Sequence, residues 1–194
     1  MANVTKQFTT DPLKFLQSVP TTCPAEGVGL SVKHLKLDYD EDLKVAQMKT
    51  AGSEEERASF YVLGWAENDV STGKLGSQAD YFYTGPLTGC MFAVDKNWYT
   101  PRVVHVNEQL QDSSMNVKGM QSTIATEMKG ATSWLRWMST PNITVVESHQ
   151  RKEGHRFAIL GWRGKLGWTF VRQTVKTTGF AWSVVSVEKL DNWV

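Results

Sequence analysis

Alternating apolar and polar positions dominate the first third of the chain and predict strands. The alternation runs from Val28 to Leu37 and resumes from Leu43 to Met48 after an acidic turn, which favours a β-hairpin. Ser59 to Trp65 is mostly apolar and predicts a buried strand. Residues 67–77 are rich in turn formers, so a loop is expected there.

The rest of the chain is also rich in short apolar segments that turn-forming residues separate. These segments predict strands at Tyr81–Tyr83, Met91–Val94, Arg102–Val106, Ile143–Glu147, Phe157–Trp162, Trp168–Val175 and Phe180–Val187. Residues 84–89 contain two glycines and a proline, and we expect them to break the first of these strands just before Cys90.

Two segments have the pattern of helices. Asp11 followed by Pro12 is typical of an N-cap with proline at the first helical position, so a short helix is predicted over residues 11–18. Apolar residues then recur at helical spacing and predict one long helix over residues 117–138, which Pro141 ends. The members of this second stripe are Met120, Ile124, Met128, Trp134, Leu135 and Met138.

These elements indicate the α+β class, with a mixed β-sheet sandwich and one or two helices packed on it. The chain has 194 residues, of which 41% are apolar, and no internal repeat or long linker divides it. One domain over residues 1–194 is therefore expected.

Charge and composition narrow the classes of partner. Lysine and arginine total 21 against 20 acidic residues, so neither nucleic acid nor an anionic membrane is indicated as a partner. No apolar run approaches the ~20 residues of a membrane-spanning helix, and the N-terminus has no apolar signal segment. We expect a soluble monomer that works in a reducing compartment, since two cysteines do not make a disulfide framework.

Tryptophan is the most unusual feature of the composition. Eight are present, and the motif Leu-Gly-Trp occurs three times, ending at Trp65, Trp162 and Trp168. These rings could bind a carbohydrate or peptide, but wide rings on glycine-interrupted strands more often pack in a core or on a sheet face. A β-rich binding module is therefore one alternative function.

Cys90 and His105 form the strongest candidate for chemistry. Cys90 follows Gly89 where a loop meets a strand, which can leave a thiol at a cleft. His105 lies 15 residues later on the next predicted strand, so the two side chains can meet across a hairpin. A neighbouring base makes a thiol a useful nucleophile. The alternative is a buried structural cysteine and a hydrogen-bonded structural histidine.

No metal or other cofactor is expected from the remaining residues. His34, His149 and His155 lie on different elements and lack the spacing of a zinc site. The acidic turn at residues 38–42 lacks the spacing of a calcium loop. Cys23 lies outside any nucleophile motif and is interpreted as a structural thiol.

The segment from Tyr81 to Asn107 resembles the catalytic core of the bacterial toxin glutamine deamidases, the cytotoxic necrotizing factor and Burkholderia lethal factor group. That family has a Leu-Ser-Gly-Cys motif, an apolar strand, a turn, and a histidine on the next strand. Leu87-Thr88-Gly89-Cys90 is similar, with threonine in place of the serine. A weaker likeness extends upstream through residues 63–77.

The resemblance implies a protein-glutamine deamidase that acts as a toxin or effector in the cytoplasm of a host cell, delivered without a cleaved signal. It implies Cys90 as nucleophile, His105 as acid and base, and backbone N–H groups near Gly89 as donors to the oxyanion. A main-chain carbonyl would orient the histidine, and Thr84 is the matching position. Asn107 and Asp95 are rivals for this role.

The host substrate implied by the resemblance is a small GTPase or a translation-initiation helicase. Residues 67–80, 95–101 and 107–118 are predicted to be the loops that select it. A papain-like cysteine protease or a transglutaminase would use the same Cys-His pair, so both stay open as alternatives.

Overall fold

A computed structural model describes residues 3–23, 27–52, 56–110, 112, 114–129, 143–147 and 154–190. It contains three helices, α1 (Val4–Thr10), α2 (Pro12–Ser18) and α3 (Val117–Glu127), within these ranges. The strands are β1 (Thr21–Thr22), β2 (Gly29–Asp40), β3 (Val45–Thr50), β4 (Ala58–Gly64), β5 (Asp69–Lys74), β6 (Tyr81–Leu87), β7 (Met91–Asp95), β8 (Arg102–Asn107), β9 (Ile143–Glu147), β10 (His155–Gly164), β11 (Gly167–Thr178) and β12 (Ala181–Lys189).

The strands form two sheets. An eight-stranded sheet has the order β1-β3-β2-β4-β6-β10-β11-β12, and a four-stranded sheet has the order β5-β8-β7-β9. The larger sheet is mixed, because β1 with β3 and β4 with β6 pair in parallel while its other pairs are antiparallel. The mostly β, α+β class that the sequence predicts is confirmed.

Buried apolar residues occupy three layers, because side chains on a strand alternate between two faces. The inner cluster lies between the two sheets, where Phe82 of β6 contacts Phe92 of β7 at 5.8 Å between ring centroids. A second cluster joins the opposite face of the large sheet to α1 and α2. A third joins the outer face of the small sheet to α3.

The helix starts follow from capping. The carboxylate of Asp11 accepts the N–H of Lys14 at 3.0 Å, and Pro12 opens α2, so the helix predicted over residues 11–18 is confirmed. Asn116 caps α3 in the same way, at 3.0 Å from the N–H of Gly119. This helix ends at Glu127, and residues 130–138 of the longer prediction lie outside the described residues. The sequence analysis missed α1, which buries Phe8.

Strand predictions from the hydrophobic pattern are confirmed for the hairpin β2–β3, for β4, and for β7 through β12. The predicted loop at residues 67–77 is wrong in its middle, because β5 pairs there with β8. This strand lies at a sheet edge and buries only Ser71, so it has no apolar stripe to reveal it.

The predicted break at residues 84–89 is also wrong in part, because β6 continues to Leu87. The pairing of β6 with β10 shifts register between Phe157 and Ile159, where β6 has one residue more than β10. Gly85 has φ +152° and lies so close to β10 that an added Cβ would be 3.1 Å from the Cα of Ala158. The backbone thus keeps its pairing where the residue types indicate a turn.

None of the helices within the described ranges is long and apolar enough to cross a membrane.

Candidate active site

Cys90 and His105 lie on the same face of the small sheet. Cys90 directly precedes β7, and His105 lies on β8 opposite Phe92. Since side chains alternate along a strand, Cys90, Phe92 and His105 all point to the inner face. The pairing ends with Met91 opposite Val106, and Cys90 is the next residue of the chain. Extension of this register by one residue makes Cys90 and His105 diagonal neighbours, whose backbones are typically ~7–8 Å apart.

Thr84 reaches His105 from the other sheet. Its Oγ1 is 2.8 Å from Nδ1 of His105 and 2.8 Å from the carbonyl oxygen of Leu63. The threonine has one hydroxyl proton, and a carbonyl can only accept, so Thr84 donates to Leu63. The Nδ1–H of His105 must then donate to Thr84. The sequence pointed to a main-chain carbonyl at this position, whereas the contacting atom is the side-chain hydroxyl.

This hydrogen-bond chain leaves Nε2 of His105 as the nitrogen with a lone pair. Nε2 is buried and has no hydrogen-bond partner among the described residues. His105 is 1% exposed, and burial lowers its pKa from 6.5 to about 3. The imidazole is therefore neutral near pH 7, with Nε2 unprotonated.

The Cys90 side chain is only 3% exposed and belongs to the inner cluster. This differs from the cleft position that the sequence suggested. Met115, from a short turn paired back on Gln109, contacts the adjacent Gly89, because a Cβ added there would lie 2.8 Å from its Sδ. Met115 is itself 37% exposed, so a flexible side chain that reaches solvent packs on Gly89.

The Leu87-Thr88-Gly89-Cys90 segment is the link between the two sheets. Leu87 is buried at the end of β6, and Thr88 is exposed. Gly89 has φ +132°, a conformation that side chains with a Cβ rarely adopt. The glycine thus allows the sharp turn by which Cys90 enters β7 on the inner face.

Asp95 and Asn107, the two other candidates for the group that orients His105, lie at different positions from Thr84. Asp95 lies three residues beyond Phe92, roughly 10 Å along the strand from the level of His105. Its carboxylate accepts the N–H groups of Asn97 and Arg102 at 3.1 and 3.0 Å, so it organises the β7–β8 turn. Burial raises its pKa, although these hydrogen bonds oppose the rise. Asn107 is buried and lies two residues after His105 on β8, so it is on the same face, and it pairs with Asp69 of β5.

Trp65 lies beside the site, although the sequence indicated only core packing or, as the alternative, ligand binding for the Leu-Gly-Trp tryptophans. Its ring lies 6.3 Å from that of His105 between centroids, at an interplanar angle of 29°. Its Nε1 is buried and has no hydrogen-bond partner among the described residues. No local pattern distinguishes it from the other Leu-Gly-Trp tryptophans. Its place after β4, next to the Leu63 carbonyl that binds Thr84, becomes visible only in the folded sheet.

Cys23 lies on the opposite face of the large sheet, in the cluster beneath α1 and α2. Burial raises its pKa to about 11, although Lys33 lowers it somewhat. Among the other histidines, His34 contacts Ser59 Oγ at 3.1 Å, and His149 lies outside the described residues. Within the described ranges, no group of three His, Cys, Asp or Glu residues could hold a metal.

No family model and no curated protein sequence matches this chain. Among solved structures, the chain is similar to the C-terminal domain of CNFy from Yersinia pseudotuberculosis, with a TM-score of 0.43 and 9% identity over 82% of this chain and 71% of that one. Such a distant similarity does not bear on activity, so the function must be argued from the residues of the chain itself.

Proposed function

We propose that this protein is a protein-glutamine deamidase that uses Cys90 as nucleophile, His105 as acid and base, and Thr84 as the group that orients His105. The observation that carries the proposal is the Thr84–His105 hydrogen bond. It holds the proton on Nδ1 and leaves the Nε2 lone pair on the face where Cys90 lies. The toxin-deamidase motif around Cys90 supports glutamine as the substrate.

The first half-reaction forms a thioester. As the sulfur of Cys90 bonds to the carboxamide carbon, Nε2 of His105 takes the thiol proton and the carbonyl electron pair moves to oxygen. The tetrahedral intermediate then collapses, its C–N bond breaks, and His105 returns the proton to nitrogen. Ammonia leaves, and the glutamyl group remains on sulfur.

The second half-reaction hydrolyses the thioester. His105 takes a proton from water, hydroxide bonds to the same carbon, and the C–S bond breaks. The product is glutamate, and the sulfur of Cys90 recovers its proton from His105. Backbone N–H groups of the turn at Gly89 are proposed as donors to the oxyanion, with Leu87 and Thr88 as the preceding residues of the motif.

A neutral His105 is the form that this environment favours. Burial disfavours the imidazolium, so His105 acts as a base that removes the proton during attack rather than as a preformed cation.

Substrate binding must move Met115 aside to reach the Gly89-Cys90 segment. The residues of the 67–80, 95–101 and 107–118 segments are proposed to select the host protein, a small GTPase or a translation-initiation helicase.

The test is to express wild type and Cys90→Ser in eukaryotic cells and compare their proteomes. A deamidase produces glutamine-to-glutamate conversions, each raising a peptide by about one mass unit because NH₂ becomes OH, only with wild type. Cys23→Ser is the matched control and should convert the same sites. A protease would produce cleaved chains, and a transglutaminase would produce amine adducts, and either result would contradict the deamidase assignment.

A binding module built on the three Leu-Gly-Trp motifs fits the structure less well. Trp168 is 1% exposed and packs between Tyr61 and Phe170, so it cannot present a surface to a ligand.

A further inference from the structure

Trp65 has a buried donor, Nε1, and His105 has a buried nitrogen, Nε2, and neither atom has a hydrogen-bond partner among the described residues. Buried polar atoms in proteins are nearly always hydrogen-bonded, so each exception calls for a reason. Four side-chain atoms are exceptions within the described ranges, and they belong to Trp65, His105, Trp168 and Arg172. Only the first two are on neighbouring rings.

The two other exceptions have local explanations. Trp168 is enclosed by the rings of Tyr61 and Phe170 in the inner cluster. Arg172 already binds Glu188 through its terminal nitrogen at 2.6 Å. By contrast, Trp65 Nε1 is a donor and His105 Nε2 is an acceptor. In the proposed reaction the carboxamide oxygen could accept the indole N–H, while Nε2 accepts the proton of the attacking thiol.

We propose that the indole N–H of Trp65 is the side-chain donor that holds the carboxamide oxygen of the substrate and stabilises the oxyanion formed from it. This inference rests on the proposed deamidase function. The indole keeps its proton throughout, and only the strength of its hydrogen bond changes as charge develops on oxygen. Trp65 as a residue is only half-buried, while its N–H is buried, and its ring stacks on that of His105.

The alternative is that the ring merely covers His105 and excludes water. Two variants separate these roles. Trp65→Phe removes the N–H and part of the ring, whereas incorporation of benzothienylalanine at position 65 replaces the N–H by sulfur in a ring of nearly the same shape. Trp168→Phe is the matched control, because it removes an equally unpaired indole N–H from the core.

Two rates would be measured in a Cys23→Ser background, where Cys90 is the remaining cysteine. The first is the initial rate of glutamine-to-glutamate conversion in a eukaryotic cell extract, followed by mass spectrometry. The second is alkylation of Cys90 by chloroacetamide, which attacks at a saturated carbon and develops no oxyanion. Loss of one oxyanion donor should lower the first rate about 100-fold. It should leave the second within about twofold.

Each outcome decides the assignment. Slow conversion with normal alkylation in both Trp65 variants, and normal values of both rates in Trp168→Phe, support the donor role. Wild-type conversion in the benzothienylalanine protein would overturn it and leave the deamidase proposal standing. A parallel fall in both rates in that protein would show that Trp65 only positions His105. Absence of conversion by wild type itself would remove the proposed function and this inference together.

Discussion

The two cysteines of this protein are both buried, but their surroundings differ on the two faces of the large sheet. Cys23 lies beneath α1 and α2, where burial raises its pKa to about 11. Cys90 lies between the sheets, on the face that also carries His105 with its lone pair held inward by Thr84. Burial alone makes a thiol inert. A buried base on the same face can make it a nucleophile.

The largest effect should come from removing the thiol of Cys90, whereas removing that of Cys23 should have little effect. Cys90→Ser should reduce glutamine conversion by at least about 10³-fold, since the loss of a nucleophile leaves only background binding effects. Cys23→Ser should stay within about twofold, measured as initial rates by mass spectrometry. Equal losses in the two variants would mean that stability, rather than chemistry, explains the effect.

Thr84→Val tests the hydrogen-bond chain that distinguishes the two thiols. The variant removes the acceptor of the His105 Nδ1–H and should lower the conversion rate about 10- to 100-fold, within the range of general acid-base effects. It also leaves the Leu63 carbonyl unpaired, which should cost about 1–3 kcal/mol of unfolding free energy in urea titrations. Thr84→Ser keeps the hydroxyl and should recover most of both values.

The pH dependence of stability tests the neutral state of His105. Its folded pKa of about 3 lies below its unfolded value near 6.5, so between these values the unfolded chain binds more protons. Stability should therefore fall as the pH drops below 6.5, by about 2–3 kcal/mol at pH 4.5 from this group alone.

Urea denaturation of wild type, His105→Gln and His34→Gln at pH 7 and 4.5 measures this contribution. His105→Gln should lose most of the pH-dependent difference, and His34→Gln should retain it, since His34 lies near the surface beside Ser59. A pH dependence in His105→Gln as steep as in wild type would contradict the buried neutral imidazole. The rate of glutamine conversion should likewise show no acid limb from His105 between pH 5 and 7.

Access to Cys90 should produce the smallest effect. Met115→Ala removes the side chain that contacts Gly89 and should raise the rate of Cys90 alkylation by chloroacetamide severalfold. Leu110→Ala changes another exposed residue of the same turn and should leave the rate unchanged. Peptide mapping would check that Cys23 alkylation is the same in all three proteins. An unchanged Cys90 rate in Met115→Ala would place the access route elsewhere.

The sequence by itself determined most of the strands, the α+β class and the cap of α2, because alternation, apolar runs and capping act over a few residues. It also predicted that Cys90 and His105 belong to adjacent segments of one hairpin, since two antiparallel strands close in the chain need only a turn between them. The sequence did not predict the polar edge strand β5 or the continuation of β6 beyond Gly85. In both places hydrogen bonds to strands distant in the chain outweigh the local preference of the residues for a turn or loop.

Only the tertiary structure decided which groups surround Cys90 and His105. Thr84 and Trp65 belong to or follow strands of the large sheet, and they meet His105 because two sheets with buried inner faces pack on each other. The same packing removes the thiol and the imidazole from water and lowers the pKa of His105. Contacts across sheets join residues far apart in the chain, and desolvation depends on all the surrounding layers, so no local pattern of residues encodes either one.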